Sequence, residues 1–234
     1  MIRRLLSLLL LGGTFAGCRE AERAPAAEVT VMAAASLRDV VTDIAAEWVR
    51  QGGPPPRLQF EASSTLARQI GEGARADVFV SAAPEWVDAI ASRDRYDWLG
   101  NQLVLVVSTE AADVDLQQLQ SLALAAEQVP AGKYARAALA HLGVTPPART
   151  IYGANVRDVL AKVSQGGADA GIVYATDAAI DPAVRVQRAF PPESHPSIVY
   201  TAALVRDGGR AFFDALRAPW ALDIARRHGF TTLR

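Results

Sequence analysis

From Val29 onward the chain alternates short β-type runs with runs of helical period. Such alternation restricts a chain to largely parallel sheets covered by helices. Strand patterns are predicted over 29–33, 57–61, 77–81, 102–108, 122–125, 149–152, 170–174, 184–189 and 198–205. Amphipathic helix patterns fall between or after them, over 37–51, 65–73, 84–92, 115–120, 132–142, 155–165, 175–180, 208–216 and 219–228. The first helix shows the signal: Leu37, Val40, Val41, Ile44, Ala45, Trp48 and Val49 recur at three and four, giving one apolar face before Gly52, Gly53 and Pro54 end it.

So many strands exceed one simple sheet. Two nearly continuous apolar runs, "NQLVLVV" (101–107) and "SIVYTAALV" (197–205), read as passages between two lobes. On that reading 28–103 and 204–234 form one lobe, and 104–203 form a second lobe inserted into it. Ligands of open α/β sheets sit beyond the carboxyl ends of strands, so two such lobes face each other across a cleft. With 234 residues, half of them hydrophobic, there is material for both cores. Twenty-four basic against 25 acidic residues give a net charge of -1, which leaves no basic footprint for nucleic acid.

The N-terminus carries Arg3 and Arg4, an apolar run from Leu5 to Leu11, and small residues ending at Cys18. This is the pattern of a secretory signal, too short in its apolar part to span a bilayer. "FAGC" looks like a bacterial lipoprotein cleavage box, in which Cys18 becomes the lipidated N-terminus and 19–27 a polar tether. The alternative is a leftover thiol beside an ordinary cleavage site. With one cysteine in the chain there is no intrachain disulfide.

Chemistry concentrates where strands give way to helices. Ser36 follows the first strand at the N-cap position, with Asp39 three residues on as in a capping box. A hydroxyl there either only caps the helix or also donates its proton outward. "FEASSTLARQI" repeats the arrangement with Ser63, Ser64 and Thr65, above a helix N-terminus that favours an anion. Pro130, Ala131 and Gly132 open another helix, Asn155 and Val156 a further one, and Tyr174 ends a buried strand. Each has a plain structural alternative: a Pro-Gly turn, an Asn cap, a core tyrosine.

Taken in order, "VTVMAAASLRDVV", "FEASSTLARQIGEGARADVFVSA", "LGNQLVLVV", "VPAGKYARAAL", "VRDVLAKVSQGGADAGIVYATDA" and "PPESHPSIVY" resemble the molybdate-binding component of bacterial ABC importers, from about Val29 to Phe230. The resemblance implies an α/β, two-lobed type II periplasmic-binding-protein fold, each lobe a mostly parallel sheet flanked by helices, with two crossing hinge strands. It implies a non-enzymatic clamp that closes on molybdate, and by the same chemistry tungstate, and delivers it to a membrane permease. Carried over position by position, the hydroxyl donors fall on Ser36 and Ser63, the backbone donors on Ala131 and Val156, and the phenol donor on Tyr174. The amides of Ser36 and Ser63 join them. No cofactor is implied, and molybdenum enters only as molybdate. The expected protein is an exported monomer, held at the membrane only through Cys18.

Molybdate at neutral pH can only accept hydrogen bonds, so a donor-only cavity leaves no group unpaired. A protonated phosphate would need an acceptor, whose lack costs about 1–3 kcal/mol. Three departures from the family pattern stand out. "LALAAEQ" (122–128) replaces a "GDP"-like turn, the stretch between Ile90 and Leu99 is short, and Glu61 stands where a small residue is usual. A Glu61 carboxylate turned into the cleft would repel a dianion.

Other classes fit less well. An enzyme needs a nucleophile and base, yet His141, His195 and His228 lie far from any "GxSxG" elbow. No cysteine–histidine spacing suggests zinc or haem, and no Gly-rich phosphate loop is present. A regulatory domain of the same fold would lack the export signal. The nearest rivals are binding proteins for sulfate or a ferric complex, the latter expected to need clustered tyrosines beyond Tyr174.

Overall fold

The computed structural model describes residues 28–233, so the signal segment, Cys18 and the tether lie outside the described residues. The first sheet contains β1 (Thr30–Ala34), β2 (Arg57–Glu61), β3 (Val78–Ser81), β4 (Asp94–Gly100), β10 (Val199–Leu204) and β11 (Thr231–Thr232), in the order β11-β4-β10-β3-β1-β2. The second contains β5 (Leu103–Ser108), β6 (Ser121–Ala125), β7 (Arg149–Gly153), β8 (Ala170–Tyr174) and β9 (Val184–Ala189), in the order β7-β6-β8-β5-β9. Helices α1 (Arg38–Arg50), α2 (Ser63–Gly71), α3 (Pro84–Asp88), α7 (Arg210–Ala215) and α8 (Pro219–Arg227) accompany the first sheet. Helices α4 (Pro130–His141), α5 (Val156–Ser164) and α6 (Ala175–Ala178) accompany the second.

Both sheets are mixed but run mostly one way, and they are built alike. In one, β1 pairs parallel with β2 and β3, and β10 pairs antiparallel with β3. In the other, β6 pairs parallel with β7 and β8, and β5 pairs antiparallel with β8. Strands covered on both faces must be apolar throughout. Accordingly β1, β6 and β8 are buried at every residue, as is β5 from Leu103 to Val107.

The apolar runs at 101–107 and 197–205 do lie next to passages between sheets, but the strands themselves each belong to one sheet. β5 lies wholly in the second sheet and β10 wholly in the first. The sheets therefore place the return before Val199, not at 204, and the connections are the two-residue link Asn101–Gln102 and the segment 190–198. The reason is that a continuous apolar run reports burial on two faces without saying which sheet supplies them.

Two further expectations change. Residues 115–120 form an isolated turn, not a helix, with Leu116 and Leu119 buried beneath it. The helix expected over 84–92 stops at Asp88, and Asp94–Gly100 forms the unpredicted strand β4. Its signal was the period-two pair Tyr96 and Trp98, whose Oη and Nε1 donate to the carbonyls of Phe213 and Leu216.

Candidate ligand-binding site

The parallel strands of both sheets end at a common cleft. Directly beyond Ala34, Glu61 and Ser81 in one lobe, and beyond Ala125, Gly153 and Tyr174 in the other, the chain lines a cavity of about 220 Å3 including its mouth. Ser36, Ser63, Ala131, Val156 and Tyr174 all line it, together with small neighbours such as Ala35, Ala62 and Ala82 and with Asn155. Among the described residues no charged one does.

Four helical N-termini converge there. Ala35 and Ser36 open a short 3-10 turn that runs on into α1, Ser63 is the first residue of α2, Ala131 the second of α4, and Val156 the first of α5. The leading N–H groups of a helix have no carbonyl one turn earlier, and the dipole adds partial positive charge. α4 begins at Pro130, where a missing N–H loses nothing. The sequence expectation had started it two residues later. Gly132 follows because nothing larger fits: a Cβ there would stand 2.2 Å from the Ala126 carbonyl oxygen and 2.5 Å from that of Ala125. Gly132→Ala is therefore expected to push the start of α4 away from β6. Overpacking of this kind costs about 1–3 kcal/mol, read in thermal unfolding, together with weakened ligand binding read by calorimetry.

The hydroxyls are held in specific roles. Ser63 Oγ accepts the Ala82 N–H at 3.0 Å, which leaves its own proton free. Ser36 Oγ lies 3.0 Å from Tyr200 Oη and makes no capping bond. The expected N-cap role of Ser36 is thus corrected: Ala34 and Leu37 occupy the cap positions, and the serine is drawn inward by a buried phenol. Tyr174 Oη is fully buried with no hydrogen-bond partner among the described residues. Burial first, then the neighbouring Tyr200 and Tyr134, pushes its ionisation well above the ordinary phenol range, so it remains a neutral donor.

Asp39 is likewise not part of a capping box. Its Oδ2 takes a hydrogen bond from Arg157 Nη2 at 2.5 Å, across the cleft from α1 to α5. Arg157 Nε also donates to the fully buried Asp177, and Nη2 reaches the Ser36 carbonyl at 3.4 Å. The Arg157 guanidinium is therefore already shared between two carboxylates. Glu61, feared as a cleft carboxylate, does not line the cavity; it accepts from Asn155 Nδ2 at 3.3 Å, joining the lobes at the rim. Asn155 does cap α5, through Asp158 N–H. Tyr134 Oη to the Ala82 carbonyl (3.2 Å) and Lys133 to Glu85 (3.0 Å) complete a set of contacts that hold the lobes together.

The tyrosines are not isolated, contrary to expectation. Tyr134, Tyr174 and Tyr200 stack edge-on in sequence, with centroids 6.4 and 6.1 Å apart. Burial raises the ionisation of all three, which opposes the phenolate form a ferric ion would require. Among the described residues no histidine hydrogen-bonds a hydroxyl or thiol: His141 ends α4, His195 Nδ1 meets the Pro196 carbonyl and its ring stands against Tyr134, and His228 meets Asp43 at 2.7 Å.

The model of a bacterial extracellular solute-binding protein family matches residues 29–231. The molybdate-binding protein ModA of Escherichia coli is 38% identical, the alignment covering 87% of this chain and 89% of that one. YvgL of Bacillus subtilis, named as an ABC transporter substrate-binding lipoprotein, is 30% identical over 98% of this chain and 96% of its own length. Among solved structures, the Azotobacter vinelandii periplasmic molybdate-binding protein superposes with a TM-score of 0.77 at 21% identity, over 88% of this chain and all of that one. With three parallel strands from each lobe ending at one cavity of donors, and likeness of this extent along the whole described chain, the protein belongs to the bacterial extracellular solute-binding proteins and, among them, to the ModA family of molybdate-binding proteins.

Proposed function

We propose that the interlobe cavity holds one molybdate, or the equivalent tungstate, through Ser36, Ser63 and Tyr174 side chains and the backbone N–H groups of Ser36, Ser63, Ala131 and Val156. The protein is the substrate-binding component of an ABC transporter, not an enzyme. The observation that carries the site assignment is the Tyr174 hydroxyl, buried without a partner at the wall of a cavity lined by uncharged residues. A buried donor left unmade costs about 1–3 kcal/mol, and a ligand that only accepts hydrogen bonds removes that cost. A tetrahedral dianion meets this requirement and is further favoured by the helix N-termini.

Delivery follows from the two-lobed build. Asn101–Gln102 and 190–198 act as hinges, and the lobes close over the anion by rigid-body motion before docking on a membrane permease. Calorimetric titration of the chain from Glu28 onward tests the site. Ser36→Ala and Ser63→Ala should each weaken molybdate about tenfold or more, since a hydrogen bond to a charged partner contributes about 1.5–3 kcal/mol. Wild-type affinity in either folded variant would remove that serine from the site.

Export to the periplasm or cell surface accords with the family, and anchoring through a lipidated Cys18 is supported by the "FAGC" box and by likeness to a lipoprotein over 98% of this chain. Cys18→Ser should then release the protein into the soluble exported fraction. Wild-type protein already soluble would overturn the anchor.

A further inference from the structure

Two residues outside the cavity lining, Asn101 and Tyr200, form a hydrogen-bonded chain that ends on Ser36. Asn101 sits in the link between β4 and β5, and its Oδ1 accepts the Gln102 N–H at 2.9 Å. That bond fixes the orientation of the amide. The Nδ2 group then faces inward and gives its two protons to Thr176 Oγ1 at 2.9 Å and to Tyr200 Oη at 3.2 Å. Tyr200, fully buried on β10, has one remaining partner, Ser36 Oγ at 3.0 Å. Asn101 Nδ2 offers the phenol only a donor, so among the described residues Ser36 Oγ is the acceptor left for the buried Tyr200 proton. Ser36 Oγ has thereby accepted, and its proton is left for the cavity.

We propose that Asn101 and Tyr200 are the positioning residues that make Ser36 an obligate donor, and that through it they exclude oxyanions carrying a proton, such as hydrogen phosphate and hydrogen arsenate. The proposal rests on the cavity being the oxyanion site. Ser63, already an acceptor toward Ala82 N–H, and Tyr174, which is a phenol, also present protons. Ser36 is thus the one hydroxyl whose polarity depends on a side-chain relay. Burial first keeps Tyr200 protonated far above neutral pH, so the relay holds throughout the range in which binding is measured. Asn101 also spans the lobes, since Thr176 belongs to α6 and Tyr200 to β10; the relay is assembled at the hinge itself.

Sulfate separates this role from a merely structural one, because it matches molybdate in charge and in carrying no proton, while hydrogen phosphate matches sulfate closely in size. Tyr200→Phe frees a lone pair on Ser36 to accept an anion's proton. Competition calorimetry with molybdate, sulfate and inorganic phosphate should show the sulfate-to-phosphate affinity ratio falling about tenfold, with the molybdate-to-sulfate ratio changing less than about twofold. Asn101→Asp gives a second route should Tyr200→Phe fail to fold. The introduced carboxylate draws the Tyr200 proton toward itself and turns Ser36 into an acceptor, and its added charge weakens sulfate and phosphate alike. The sulfate-to-phosphate ratio should again fall. An unchanged ratio in a folded, molybdate-binding variant overturns the relay. Should Ser36→Ala itself leave molybdate affinity unchanged, it is the site assignment that fails.

Discussion

Arg157→Ala is expected to destabilise the protein by about 3–5 kcal/mol, the usual result of stripping the partner from a buried charge. Asp177 has no exposed side-chain surface, and its Oδ2 is already without a partner; Arg157 supplies its only ion pair among the described residues. The other half of the contact, Arg157 to Asp39, is partly exposed and contributes less, about 0.2–1 kcal/mol. It is, however, the half that crosses the cleft. The variant should therefore show two separable effects: lower thermal stability from Asp177, and a scattering profile of the liganded protein shifted toward the open form from the lost interlobe bond. Asp39→Asn should reproduce only the second, with molybdate weakened severalfold at most. That replaces the capping-box role that the spacing from Ser36 suggested for Asp39.

The same site gives a pH test with a definite sign. Burial, opposed by Arg157, raises the Asp177 carboxyl to about 6, above the roughly 3.9 of an unfolded aspartate. The native state thus binds more protons than the unfolded state between those values, and this group's contribution to stability rises as pH falls through 6. In Arg157→Ala the ionised carboxylate is the source of the damage, so the deficit against wild type should shrink once it is protonated. Urea unfolding on either side of pH ~6 measures this. An equal deficit on both sides would show that Arg157 acts by packing, not by charge.

Alternation of β and α patterns made the order of elements legible because strands buried on both faces are forced to be apolar, as in β5 and β8. The same property hid the sheet assignment of β10, since Val199–Leu204 would read identically in either lobe. The site residues were legible as small or hydroxyl-bearing residues at the carboxyl ends of strands, where open α/β sheets place their ligands. What those hydroxyls bond to was not. Tyr200 lies 164 residues from Ser36 in the chain and reads locally as one more core aromatic. Arg157 and Asp39 sit on different helices of different lobes, and each alone looks like a solvated charge. Contacts made only when two lobes meet leave no periodic trace in either.

Tyr174→Phe should weaken molybdate by about ten- to a hundredfold while leaving the ligand-free protein as stable as wild type or more so. The two signs are opposed because the hydroxyl has no hydrogen-bond partner among the described residues. Removing a group that makes no internal hydrogen bond forfeits nothing on folding, and it relieves the desolvation of a buried polar atom. The ring, which carries the edge-on contacts with Tyr134 and Tyr200, is retained. Binding loses a neutral donor to a charged acceptor, about 1.5–3 kcal/mol. Thermal unfolding with and without molybdate reads both effects in one experiment: ligand stabilises by RT ln(1 + [L]/Kd), so each tenfold loss of affinity removes about 1.4 kcal/mol of that gain at the same excess of ligand. A core tyrosine with a purely structural role predicts the reverse, lower stability without ligand and an undiminished shift with it. That outcome would take the phenol out of the binding site, and with it the reason for reading the cavity as a socket for an anion that can only accept.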